Sequence, residues 1–358
     1  MIAGEGTTEM INRFAVGFAV AIFLCSASHP AFADQSQSFR VANYNVENLF
    51  DLDSQGTEYR EYIPYGARGW NNEMLDIKLR HLARVIFDLK ADILALEEVE
   101  SKKALFLLRD KLKSSGTDYG FSAMAETDGQ AVGCALLSRF PITMKKDITV
   151  ENGRERNILK VVLDIHGQPL TVYVNHWVSK KHPESRRRAS ALALKRDLRL
   201  LPSSSDFLLI GDFNSDYDEY RRFIHDDTLN DTGGRTGVNH DLKTLVSDVL
   251  IDEKKLCSRK DMDFLYNLWL EIPLNQRWSY NFFGKKGSLD SMLVPASLYD
   301  HKGISYRDNS FKRFTPDYLF SRGAIYRWQM DKSGKGRHLG RGYSDHLPVY
   351  ADFTSKTN

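Results

Sequence analysis

Four short polar fragments, distributed along most of the chain, each adjoin an apolar run about the length of one buried strand. They are Asn45-Val46-Glu47, Leu96-Glu97-Glu98-Val99, Gly211-Asp212-Phe213-Asn214 and Ser344-Asp345-His346. A strand buried on both faces displays polar side chains only where it ends. A chain patterned this way is expected to bring several strand ends to one rim of a sheet, with the polar groups gathered there. The runs beside the fragments read as strands at 39–44, 93–96, 207–210 and 349–353, with others at 133–137, 158–163, 170–174 and 289–294. Leu75, Leu79, Leu82, Ile86 and Leu89 recur at helical spacing, residues 102–112 read as a second amphipathic helix, and Pro183 opens a long basic one. This alternation defines a mixed α/β chain without an internal linker. The stretch 216–275 fits the pattern least and is the expected place for a specificity insertion.

The fragments carry the groups that hydrolysis of a phosphate ester requires: hard oxygen ligands for a divalent cation, a base for water, and donors for phosphate oxygens. Asp212 and Asn214 are two apart, as are Asn45 and Glu47, and on an extended chain that spacing turns both side chains to the same side. Each pair also fits an ordinary turn at a strand end. In Ser344-Asp345-His346 an imidazole stands beside a carboxylate, a combination suited to proton transfer near neutral pH.

Residues 1–33 follow a different pattern. Arg13 precedes an unbroken apolar stretch over 14–25, and Ala31-Phe32-Ala33 has the A-x-A form of a cleavage site. That is the order of a secretory signal peptide, and the apolar stretch falls short of the roughly 20 residues of a spanning helix. The expectation is a cleaved signal at 1–33, a mature domain at 34–358 that is secreted or periplasmic, and no stable membrane anchor. Loss of Glu5, Glu9 and Arg13 moves the net charge from +2 to +3, too mild to argue for a polyanion partner by itself. Only Cys134 and Cys257 remain after cleavage, and their separation in sequence does not say whether they pair.

Taken together and in this order, the fragments resemble the endonuclease/exonuclease/phosphatase superfamily of deoxyribonuclease-I-like enzymes, over nearly everything after residue 38. The resemblance implies a two-sheet β-sandwich flanked by helices, four layers in all, with the active site at one end of the sandwich. It implies Mg2+ (with Mn2+ or Ca2+ as alternatives) held by Glu98 and Asp345, helped by Asn45 or Glu47. It makes His346 the catalytic histidine, Asp290 the carboxylate that orients it, Asp212 the group that prepares the water, and Asn214 a contact to a phosphate oxygen. His176, in Asn175-His176-Trp177, falls where deoxyribonuclease- and sphingomyelinase-like members place a second histidine. Arg156 is a further phosphate contact, and the basic stretch after His176 makes Lys180 and Lys181 substrate-binding candidates. One departure stands out: relatives place glutamine before the metal-binding glutamate, and this chain has Glu97. Glu97 therefore competes with Glu98 for the ligand position, with Glu100 behind, and is otherwise expected to face solvent or a basic neighbour.

The implied activity is hydrolysis of nucleic acid by in-line attack of water, by a monomer. A sphingomyelinase-type phosphodiesterase is the alternative, although it needs an exposed apolar hairpin for which Tyr280-Asn281-Phe282-Phe283-Gly284 is the sole candidate. A secreted binding module that keeps the fold without the chemistry is the non-enzymatic alternative.

Overall fold

The period-two alternation of the central strands determines how the layers stack. In the computed structural model, which describes residues 1, 36–151, 155–258, 263–334 and 336–356, strand β1 spans Ser36–Leu49 and β2 spans Ile93–Val99. Phe39, Val41, Ile93 and Ala95 point one way, into a core between two sheets, whereas Ala42, Tyr44, Leu94 and Leu96 point the other way, against helices. Helix α1 (Asn72–Leu89) connects β1 to β2, which lie parallel, and α2 (Lys102–Ser114) packs beside it. Asn71 caps α1 by accepting from the Met74 amide, and Lys90 closes it in the left-handed region. The five expected stripe residues of α1 are all buried, each contributing roughly 2 kcal/mol relative to exposure.

The second sheet repeats the scheme. Strands β3 (Phe121–Met124) and β4 (Gly133–Ser138) extend the first sheet beyond β2, and β5 (Ile142–Ile148) begins the second. There β6 (Ile158–Ile165), β7 (Gln168–His176) and β8 (Phe207–Asp212) follow, with helix α3 (Glu184–Leu198) making the β7-to-β8 crossover between parallel neighbours. Leu170, Val172, Val174, Leu208 and Ile210 enter the inter-sheet core, while Tyr173, Phe207 and Leu209 pack under α3. Strand Asp290–Val294 pairs antiparallel with β8, and the last strand, Val349–Lys356, pairs antiparallel with β1. Helices on both outer faces of two sheets give the expected four-layer sandwich.

The expected strands are present, most of them extending further than the apolar runs. The export signal expected at 1–33 lies, Met1 apart, outside the described residues; residues Asp34–Asn358 form one compact unit. No helix among the described residues is long and apolar enough to cross a membrane. Cys134 is buried in β4 and Cys257 is exposed; both are free.

Candidate active site

The inward-facing set of each central strand runs as apolar residues through the core and then becomes polar at one end. In β1 the series 39, 41 continues to Asn43 and Asn45; in β2 the series 93, 95 continues to Glu97; in β7 it ends at His176 and in β8 at Asp212. Asp290 enters from the antiparallel neighbour and pairs directly with Asp212, as His176 does from β7. The polar ends of both sheets therefore share one end of the sandwich. An open cavity of about 870 Å³ lies there, lined by Glu98, Arg156, His176, Lys180, Lys181, Asp212, Asn214, Asp345 and His346. Asn45, Glu47 and Asp290 are buried beside these residues, so the twelve sequence candidates are brought into one neighbourhood.

His346 Nδ1 lies 2.7 Å from Asp290 Oδ2, and Ser279 Oγ donates to the same oxygen at 2.5 Å. The other ring nitrogen faces Asp212 at 3.9 Å, and His176 Nε2 stands 3.7 Å from Asp212 and 3.7 Å from Glu98. Burial by itself would lower the pKa of His346, yet the adjacent Asp290, Asp212 and Asp345 raise it well above the ordinary histidine range. Burial raises Asp212 to about 7, against the opposing pull of His346. His176 is pushed well below its usual value by burial, Arg156 and His346, so it stands neutral at physiological pH. The site thus holds one imidazole that favours its charged form and another that favours its neutral form.

Asn45 ties the two sheets together: its amide donates to Glu98 Oε1 at 3.2 Å and to Asp212 Oδ2 at 3.1 Å. The Asn214 backbone donates to Asp212 Oδ1 at 2.8 Å, and its side-chain amide to the Trp177 carbonyl at 3.0 Å. Gly211 is required by close approach: at φ +138°, a Cβ there would lie 2.0 Å from the Asn175 carbonyl oxygen.

The carboxylates sort by direction. Glu97 keeps the inward alternation of β2 and is fully buried beside Asn43, with Asp290, Asp212 and His346 for company. This corrects the expectation that it faces solvent: the strand's period sends it between the sheets, where His346 is its basic neighbour. Glu98 leaves the strand geometry at φ +65°, where the β2 register shifts, and this turns its carboxylate to the cavity. Glu100 is directed elsewhere and accepts the Asp51 amide.

Glu47 departs from the ligand role offered by the sequence, because its carboxylate is already engaged. Arg327 donates to Oε1 through Nε at 2.9 Å and also through Nη2, and the Trp328 amide donates to Oε2 at 3.0 Å. Asn45 likewise spends its carbonyl oxygen on the Glu47 amide. Lys180 lines the cavity, but its ammonium is bound by Asp216 at 2.7 Å and Glu219 at 2.5 Å. Lys181 is exposed, and Arg156 keeps a buried Nε without a partner.

Two site residues escaped the sequence reading. Arg327 bridges Glu47 and Asp345, 3.4 Å from the latter, and lies in no recognisable motif. Lys78 is fully buried and donates to the carbonyls of Glu47 and Tyr343 at 3.0 Å each, bracing two of the polar segments from behind. A lysine on the apolar stripe of α1 was a legible sign of it.

A divalent cation suits this arrangement. Burial, and then the nearby Asp345, raise the pKa of Glu98, a cost of ionisation that a cation would relieve. Among the described residues no three His, Cys, Asp or Glu side chains cluster to enclose an ion. Two carboxylates with the remaining positions left to water is the coordination that Mg2+ favours.

The description of the endonuclease/exonuclease/phosphatase family matches residues 40–355. The chain belongs to that family. Its members are phosphoric ester hydrolases, nucleases among them, and generally use divalent ions such as Mg2+. The structure is similar to that of D. rerio TDP2 complexed with a single-strand DNA product, at 12% identity and TM-score 0.52, over 88% of this chain and 98% of that one. It is similar to truncated Caenorhabditis elegans TDP2 at 14% identity and TM-score 0.51, over 89% and 98%. An endonuclease/exonuclease/phosphatase family protein from Bacteroides thetaiotaomicron gives 15% identity and TM-score 0.51, over 90% and 100%. At such identities the likeness is one of fold. No protein of curated function matches the sequence.

Proposed function

We propose that the protein is an exported, Mg2+-dependent phosphodiesterase that hydrolyses nucleic acid. One observation carries this reading: Asp212, in the floor of an open cavity, stands within 3.9 Å of both His346 and His176, with His346 oriented from behind by Asp290. That is an acid–base set built around a site for water. Glu98 and Asp345 would hold the cation, which supplies charge against the phosphoryl oxygens. Asp212 and His346 prepare the attacking water together: with His346 charged, the Asp212 carboxylate is the group that takes the proton, and Asp290 holds the His346 ring beside it. His176, neutral and with Nε2 toward the cavity, donates to a non-bridging or leaving oxygen. Arg156 adds a donor to the phosphate, and Asn214, its amide held by Trp177 and Asp212, fixes the Asp212 carboxylate, part of a preorganised field that usually contributes most to catalysis of this kind.

Nucleic acid is favoured over other phosphodiesters because Arg156, with its unpartnered Nε, and the exposed Lys181 line the cavity. The single-strand DNA product named with the D. rerio TDP2 structure supports the same class. The sphingomyelinase-type reading gains one point, since the Tyr280-Phe282-Phe283 segment forms an exposed hairpin. The deciding experiment incubates residues 34–358 with plasmid DNA and Mg2+, beside H346A. The expected result is nicking or degradation that stops with EDTA and with the substitution. No cleavage by the folded, cation-binding protein would overturn the nucleic-acid reading.

A further inference from the structure

The hairpin beside the site carries more aromatic surface than its fold needs. Tyr280–Phe282 and Lys285–Gly287 pair antiparallel, Phe282 opposite Lys285, across a two-residue turn at Phe283-Gly284. Both turn residues have positive φ, 48° and 85°, the geometry of a type I′ turn. Such a turn favours asparagine or aspartate first; a phenylalanine there is strained, and its ring is 93% exposed. Phe282 is 49% exposed, and neither ring belongs to any of the three apolar cores. Single exposed rings are ordinary, but two adjoining ones, of which Phe282 lines the cavity, ask for a ligand.

The rings form a ladder that begins at the chemistry. Tyr280 lies 4.7 Å, centroid to centroid, from the His346 ring; Phe282 follows at 6.3 Å and 7° from Tyr280, and Phe283 at 4.6 Å from Phe282. The base of the hairpin is fixed to the catalytic groups. Tyr280 bridges to His346, the Leu347 amide donates to the Ser279 carbonyl at 2.8 Å, and Ser279 also holds Asp290. Tyr280, Phe282, Lys285 and Lys286 line the same cavity as Asp212 and His346.

We infer that the Tyr280–Gly287 hairpin is a stacking platform for unpaired bases of the nucleotides next to the cleaved phosphodiester, so that the enzyme prefers single strands. This rests on the nucleic-acid reading above and deepens it. Every base has a face that stacks on an aromatic ring, and paired lysines alongside suit the sugar-phosphate backbone. A duplex hides those faces. A lipid surface is the other ligand for exposed rings, but a membrane anchor points its rings together away from the site. Here Phe282 lines the cavity wall and the ladder leads inward to His346.

The test compares kcat/KM on a single-stranded oligonucleotide, on its duplex, and on bis(4-nitrophenyl) phosphate, which is too small to span the hairpin. F282A, F283A and the double variant are measured beside F106A, an exposed ring on α2 outside the cavity. The wild type should favour the single strand. Each hairpin variant should lower the ratio of single-strand to small-diester activity about tenfold or more, and the double variant further; F106A should leave the ratio unchanged. An unchanged ratio in F282A and F283A, with the wild type still cutting oligonucleotides, overturns the platform alone. Hydrolysis of the small diester with no cutting of either oligonucleotide overturns the nucleic-acid reading itself. Loss of binding to sphingomyelin vesicles in F283A, with the oligonucleotide ratio intact, assigns the hairpin to lipid and also overturns the platform.

Discussion

The two sheets reach the same cavity by opposite means. In the second sheet the polar residues are simply the next step of an unbroken ladder: His176 pairs with Asp212, and Asp212 with Asp290, in continuous register. In the first sheet the ladder fails at the rim. The β1–β2 pairing shifts between Asn45 and Leu49, and Glu47, Asn48 and Glu98 adopt φ of 49°, 67° and 65°. Asp212, His176 and Asp290 are thus held by regular strand geometry, with His346 docked on Asp290, whereas the candidate cation ligand Glu98 is displayed by a departure from it. Fixed position suits a base that must meet a water; displacement from the pleat suits a carboxylate that must turn out of the core to reach an ion.

If that division is real, the two ends are separable by substitution. H346A should lower kcat on nucleic acid by about 10³–10⁴ while keeping the rise in Tm that Mg2+ produces. E98Q should abolish that Tm rise and raise the Mg2+ needed for half-maximal activity at least about tenfold, with His346 intact. Activity assays paired with thermal melts with and without Mg2+ check both. Loss of the Mg2+ response in H346A, or its survival in E98Q, would break the comparison.

The same contrast decides what could be read from sequence. His176 and Asp290 were placed by the resemblance and Asp212 also by its spacing from Asn214; in the structure all three continue the alternation of the apolar runs. The choice between Glu97 and Glu98 could not be made that way, because it turns on where β2 abandons its pleat, and a one-residue shift exchanges which carboxylate faces the core. The layer architecture was legible through the resemblance, since helical and strand periods were clear but the pairing of distant strands was not. Arg327 left no local sign, because its role depends on a long connection folding back onto Glu47. The exposed rings of the hairpin were equally hidden: Tyr280-Asn281-Phe282-Phe283 reads as a strand, and only the turn geometry shows where the second phenylalanine points.

A smaller effect tests the regularity of the second sheet. Gly211 lies inside the β8 ladder, and G211A would press a methyl into the Asn175 backbone with no flexible neighbour to yield. The expected loss is about 3 kcal/mol of unfolding free energy, read from urea denaturation. A loss near zero would mean that the ladder at the rim is looser than its continuous register implies.

Glu97 gives a subtler test of the first sheet, where the strand's period outweighs the charge. Burial, then Asp290 and Asp212, hold its carboxyl well above the usual value of 4.5, so the fold favours the protonated form. Stability from that form is complete below the unfolded pKa and is lost as pH rises through the raised folded value. E97Q cannot ionise, and its amide also suits the unpartnered Asn43 carbonyl oxygen close by. In EDTA, the Tm of E97Q should exceed that of the wild type by an amount that grows as pH increases from about 5 to 9. A constant difference across that range would mean that Glu97 does not carry a raised pKa.

The smallest effect isolates backbone strain from chemistry. Asn48 has φ 67° within the β1 bulge, and its side-chain oxygen is buried without a hydrogen bond. Glycine accepts that conformation freely and removes the orphaned acceptor, whereas alanine keeps the Cβ that makes it costly. N48G should therefore stabilise the protein by about 0.5 kcal/mol and N48A destabilise it by about 1 kcal/mol, measured by the same denaturation curves. Opposite signs from two small side chains cannot come from a lost contact, since both delete the same amide. They would show that the first sheet pays in conformation to turn its ligands outward, whereas in the second sheet Asp212 and His176 stay in register.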